Sequence, residues 1–159
     1  MSLSWQLVRG DSWSSGEIAY FGGGDFSHID FIDTDGSCIG ARSDKIGIIQ
    51  PGVQRRPASY EKWKLRVVFT LTTATLAQES AFRSFIYAQL GKPYDKLAIW
   101  GFILGRSWEE TDRWICSELQ CAALEAAGIV GKLYLSANRI TPNDMSLILS
   151  CIGATSVRG

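Results

Sequence analysis

Apolar and polar residues alternate along "FSHIDFID" (26–33), so Phe26, His28, Asp30 and Ile32 share one face of an expected strand. "TDGS" (34–37) is a turn signal, and "CIGAR" (38–42) follows as the return strand of a hairpin. "GEIAYF" (16–21) also has strand character. "DKIGIIQPGVQRRP" (44–57) is punctuated by Gly and Pro and reads as loop. "KLRVVFTL" (64–71) is rich in β-branched residues and predicts a buried strand.

The period then changes. In "TLAQESAFRSFIYAQLG" (75–91), Leu76, Phe82, Phe85, Ile86 and Leu90 fall near one helical stripe, with Gly91 as the stop. "KPYDKLAIWGFILGRSW" opens as a turn and continues into a short apolar helix. "CSELQCAALEAAG" (116–128) predicts a helix closed by Gly128. "SANRITPNDMSLILSC" ends in another, with Thr141 as N-cap and Pro142 in the first turn. Strands followed by helices predict an α+β fold, an antiparallel sheet with helices packed on one face, as one domain over residues 1–159.

Composition narrows the function classes. The 159 residues are 46% hydrophobic, enough for a core, and the formal net charge is zero. Nothing in that balance calls for nucleic acid or an anionic membrane. The one tight basic pair, in "QRRP" (54–57), is expected in a solvated loop. The first residues lack the basic start and apolar run of a secretory signal, and "LAIWGFILG" (97–105) is too short to span a bilayer. A soluble, cytoplasmic protein is the expectation. Four cysteines without a C-x-x-C pair, and a single histidine, give no metal-ligand pattern, so no metal or other cofactor is expected. Cys116 and Cys121 would be about 140° apart on a helix. Cys38, Cys121 and Cys151 are expected to be free buried thiols.

Cys116 stands apart because it opens a helix. A helix N-terminus and a neighbouring imidazolium are the conditions that convert a thiol to a reactive thiolate. If the expected helix packs its start against the strand carrying His28, the imidazole can act as general base toward the thiol and general acid toward a leaving group. The alternative is plain: a buried core cysteine and a satisfied strand histidine.

"FSHIDFIDTDGSCIGA" resembles the histidine hairpin of the NlpC/P60 papain-like cysteine peptidases. "GKPYD", followed some twenty residues later by "WICSEL", resembles their cysteine segment. Here His28 precedes Cys116, which is similar to the circularly permuted branch that includes YiiX-like proteins and lecithin retinol acyltransferase relatives. The resemblance covers roughly residues 17–145. It implies a permuted papain-like fold, Cys116 as nucleophile and His28 as base. It also implies Tyr94 beside the nucleophile, and an oxyanion site completed by the backbone N–H of Cys116 or Ser117. The family's third, polar residue lies about twelve positions after the histidine, and that position here is Gly40. Asp30 is the first substitute, because it shares a face with His28; Asp44 is the second. Asp30 could equally be a solvated strand carboxylate.

The resemblance implies a cysteine peptidase or amidase acting on a peptide-like amide, cell-wall peptides among them, in a bacterial or phage setting. Lipid acyl transfer is the next chemistry. A non-catalytic binding or structural module is the rival, and Gly40 is the feature that favours it.

Overall fold

The structure is a computed structural model, and it describes residues 2–10, 24–95, 114–133 and 140–159. Its strands are β1 (Leu3–Gly10), β2 (His28–Ile32), β3 (Ser37–Arg42), β4 (Gly52–Pro57), β5 (Trp63–Leu71) and β6 (Thr155–Arg158). Its helices are α1 (Leu76–Ala88), α2 (Cys116–Ala126) and α3 (Pro142–Cys151). The six strands form one sheet in the order β4-β3-β2-β1-β5-β6, antiparallel at every ladder. The architecture is therefore α+β with helices packed on a sheet.

Alternation sorts the sheet into two faces. Leu3, Trp5, Leu7, Ile29, Phe31, Ile39, Ala41, Val53, Phe69 and Leu71 form one core with Phe82 and Ile86 of α1, Leu119, Ala123 and Leu124 of α2, and Met145 and Leu149 of α3. Trp5, Phe31 and Phe82 lie at its centre, with ring centroids 5.0 to 6.4 Å apart. Such edge-on and tilted pairs contribute about 1 kcal/mol each beyond the burial of their area. Residues one position away on the same strands carry the polar groups. Gln6 and Asp30 are cross-strand partners on β1 and β2, and both are fully buried.

The expected hairpin is present. Asp33 N–H donates to Ser37 O, and Gly36 takes the positive φ that the tight turn requires. Helix α1 is capped by Thr75, whose hydroxyl accepts from Gln78 N–H, and α3 by Thr141, whose hydroxyl accepts from Asp144 N–H. The segments 16–21 and 134–139, and the apolar run 97–105, lie outside the described residues.

Several expectations are corrected. Residues 52–57 form a strand rather than loop, and Arg56 in "QRRP" is among the most buried side chains. A tertiary partner, the Asp30 carboxylate, is what permits a charge there. Residues 3–10 form a strand at the centre of the sheet, and 155–158 form an edge strand; the sequence reading places no element at either. Leu76 and Leu90 do not join the stripe of α1: Leu76 is largely exposed and Leu90, past the helix end, is partly exposed, while Phe82 and Ile86 carry its buried face. Cys151 is exposed, unlike Cys38 and Cys121.

Candidate active site

Cys116 is the first residue of α2 and is 7% exposed. The chain is led to it by a short parallel bridge between Tyr94 and Trp114. In that bridge Asp95 N–H donates to Trp114 O (3.1 Å) and Trp114 N–H to Pro93 O (3.2 Å). The Trp114 indole donates to Gln89 Oε1 (3.1 Å) and packs edge-on against Phe85, which fixes the segment to α1. The first N–H groups of a helix have no partner within it, so Cys116 and Ser117 begin α2 with donors directed past its N-terminus.

His28 is the first residue of β2. The β2–β3 ladder covers only Phe31–Ile39 and Ile32–Cys38, so the two strands part before His28 is reached. The Cys116 thiol lies near enough to the His28 imidazole and to the Ile29 N–H for both to favour its charged form. One turn further along α2, Gln120 donates to Ile39 O on β3 (3.1 Å). The helix start is thus tied to both strands of the hairpin.

The other side of the imidazole is held by Asp30. His28 Nε2–H donates to Asp30 Oδ1 at 2.7 Å. With Nε2 so engaged, Nδ1 is the ring nitrogen left to face the thiol. Asp30 is fully buried and accepts from three further donors: Arg56 Nη2 at Oδ1, and Gln6 Nε2 (3.1 Å) and Tyr60 OH (2.9 Å) at Oδ2. Arg56 Nη2 also lies 3.0 Å from His28 Nε2. Both atoms are donors when the ring is charged, so this is a close approach at a shared acceptor and not a bond between them.

Charge follows from this geometry. Burial alone would lower the pKa of His28, but the charges on Asp30 and then Cys116 outweigh it and push the imidazole up to about 9. Burial opposes ionisation of Asp30, and Arg56 followed by His28 overcomes it, so the carboxyl lies well below its ordinary range. For Cys116 burial again opposes the charge. The imidazolium beside it and the Ile29 N–H win, and its pKa is lowered. Burial instead pushes Cys38 and Cys121 up to about 12. Of these three thiols, Cys116 alone is shifted toward thiolate.

Gly40 explains why the third group stands on β2. A Cβ at position 40 would overlap Asp30 Oδ1, and would also crowd Ile29 O (3.1 Å) and Arg56 Nη2 (3.3 Å). The missing side chain on the return strand is the space that the Asp30 carboxylate fills. Asp44, the other candidate, is bound to Arg42 at 2.6 and 2.8 Å and does not orient the ring.

Tyr94 is close enough for a charge on Cys116 to act on it. Burial first, and that charge second, push its phenol well above the usual range, so it is a neutral donor. The Ser117 hydroxyl is turned away, donating to Ile140 O at 2.5 Å; only its backbone N–H is available at the helix start. Arg56, Tyr60 and Gln6 are site residues that sequence reasoning missed. The available signal was that Gln54 and Arg56 alternate with Val53 and Arg55 in "GVQRRP", a strand pattern. Among the described residues no group of three or more His, Cys, Asp or Glu could hold a metal ion. No helix among them is long and apolar enough to cross a membrane. No known protein family and no curated protein matches the chain.

Proposed function

We propose that the chain is a thiol hydrolase or acyl-transfer enzyme of the permuted NlpC/P60, papain-like type, acting through Cys116, His28 and Asp30. The observation that carries the reading is the His28 ring, hydrogen-bonded to the buried Asp30 carboxylate and close enough to the Cys116 thiol at a helix N-terminus for each to favour the other's charge. The thiolate attacks the carbonyl carbon of an amide or ester. The oxyanion that forms is received by the N–H groups of Cys116 and Ser117, with the Tyr94 phenol as a further donor. His28 then gives its proton to the leaving amine or alcohol, leaving a thioester on Cys116. Water, or another acceptor, attacks the thioester as His28 takes back a proton, and the thiolate is released. Asp30 keeps the ring in one tautomer and offsets the imidazolium charge, as the third member of such triads does.

Peptide-like amides, including cell-wall peptides, are the first substrate class, and lipid esters the second. A non-catalytic module rested on the missing polar side chain at position 40. Asp30 now occupies the space at that position, which removes the reason to prefer it. The test is intact-protein mass spectrometry after brief exposure to an activated acyl ester, a cell-wall-type peptide and a phospholipid. Acyl addition to Cys116, absent in Cys116→Ser, is the expected result. No adduct and no turnover with any of the three would overturn the enzyme reading.

A further inference from the structure

The cluster around the ring contains one fully buried charge that the reaction itself does not use. Arg56 lies on β4, two strands from His28, and reaches back under β3. Its Nη2 binds Asp30 Oδ1, its Nη1 donates to Gly40 O at 3.0 Å, and its guanidinium stacks 4.5 Å from the centre of the Tyr60 ring. Tyr60 in turn donates to Asp30 Oδ2. Arg56 and Tyr60 therefore hold both oxygens of one carboxylate, in the space left by Gly40.

We propose that Arg56 is a positioning and charge-balancing residue of this site, which fixes Asp30 against His28 and supplies the second cation that lets a carboxylate and a thiolate share one buried cluster. The inference rests on the proposed Cys116–His28–Asp30 reading. With Arg56 present, two cations face two anions. Without it, one negative charge is in excess in a dry site, and a proton must be taken up. An ordinary thiol binds a proton more tightly than an ordinary carboxylate by over four pKa units, so the proton settles on Cys116. Among the described residues, other charges do not substitute for Arg56. Arg42 is committed to Asp44 and Glu61, Arg66 reaches the cluster only through Gln6, and Tyr60 and Tyr94 are held neutral by burial. Asp95, which acts on Tyr94, adds a negative charge rather than a positive one.

The test is thiolate absorbance near 240 nm against pH, with the Cys116→Ser spectrum subtracted and the one histidine followed by NMR. Arg56→Met is expected to move the thiolate midpoint up by about one unit or more, a tenfold loss of thiolate at a fixed pH below it. Arg56→Lys keeps the charge and should retain most of the thiolate. Asp30→Asn/Arg56→Met, which removes both charges, should move the midpoint back down. It also leaves no uncompensated buried ion, so it should fold even where Arg56→Met does not. In that case its comparison with Asp30→Asn alone decides the matter, the loss of Arg56 again raising the midpoint. A wild type with no thiolate near neutral pH would overturn the proposed function itself. A wild-type thiolate whose midpoint is unmoved by removing Arg56, in either background, would overturn the role of Arg56 alone.

Discussion

Asp30 meets two demands with one carboxylate, because its Oδ1 accepts from both His28 and Arg56. Asp30→Asn removes the charge from both partners at once. The ring loses its tautomer control, and turnover should fall on the order of a thousandfold or more. The buried Arg56 is left without a counterion, so stability should fall by about 3–5 kcal/mol. Turnover assays and urea unfolding of the same preparation measure the two losses, and a variant as active as the wild type would make Asp30 a bystander. Gly40→Ala probes the same carboxylate from the opposite strand. Its backbone is not in the left-handed region, so the cost is overlap with Asp30 rather than strain. About 1–3 kcal/mol of overpacking is expected. Displacing the carboxylate should also slow alkylation of Cys116, by roughly tenfold for each pKa unit the thiol rises, at a pH below its thiolate midpoint. Gly131→Ala, where an added Cβ meets nothing, is the control and should change neither.

Among the elements, α1 shows where a hydrophobic pattern informs and where it misleads. Phe82 packs on Trp5 and Phe31 and is fully buried, whereas Leu76, in the same predicted stripe, is 67% exposed. Phe82→Ala should cost about 3–5 kcal/mol. Leu76→Gln should stay within about 0.5 kcal/mol. Chemical denaturation midpoints separate the two, and equal losses would place Leu76 in the core. The hairpin, α1, α2 and α3 were legible because each carries its own local signals: the "TDG" turn, the apolar stripe of α1, Thr141 as a cap, Gly91 and Gly128 as stops. β4 was not, because its buried Arg56 imitates a polar loop until the partner carboxylate two strands away is known. The same limit applied at the site. Cys116, His28 and Asp30 could be named from a helix start and an alternating strand. The part played by Gly40 could not, since it depends on the distance between β2 and β3 at a point where their ladder has ended.

For the molecule as a whole, the paired shifts of His28 and Cys116 set how stability responds to pH. The imidazole is raised from 6.5 to about 9. Its contribution is fully present below 6.5 and is lost as pH rises through about 9. The thiol is lowered. Its contribution is fully present above the free-thiol value of about 8.5 and is lost as pH falls through the folded value. Between about 6.5 and 8.5 the two slopes oppose each other. In the part of that window above the folded thiol's pKa, the unfolded chain holds its proton on sulfur and the folded chain holds it on the ring, so the proton count hardly changes on folding. Stability should therefore be nearly flat across that part. Above about 8.5 the unfolded thiol has lost its proton while the folded imidazolium keeps one, and stability should fall. On the acid side it should fall twice, first as the thiolate is protonated and again as Asp30, lowered by Arg56 and His28, takes a proton. Cys116→Ser removes one of the two opposing slopes. Its urea unfolding free energy should then decline between pH 6.5 and 8.5, where His28, still raised by Asp30, is the member of the pair that changes its proton count on folding. Parallel, flat profiles for wild type and Cys116→Ser between pH 6.5 and 8.5 would mean that no proton passes from sulfur to ring on folding, and the ion pair would be lost from the account.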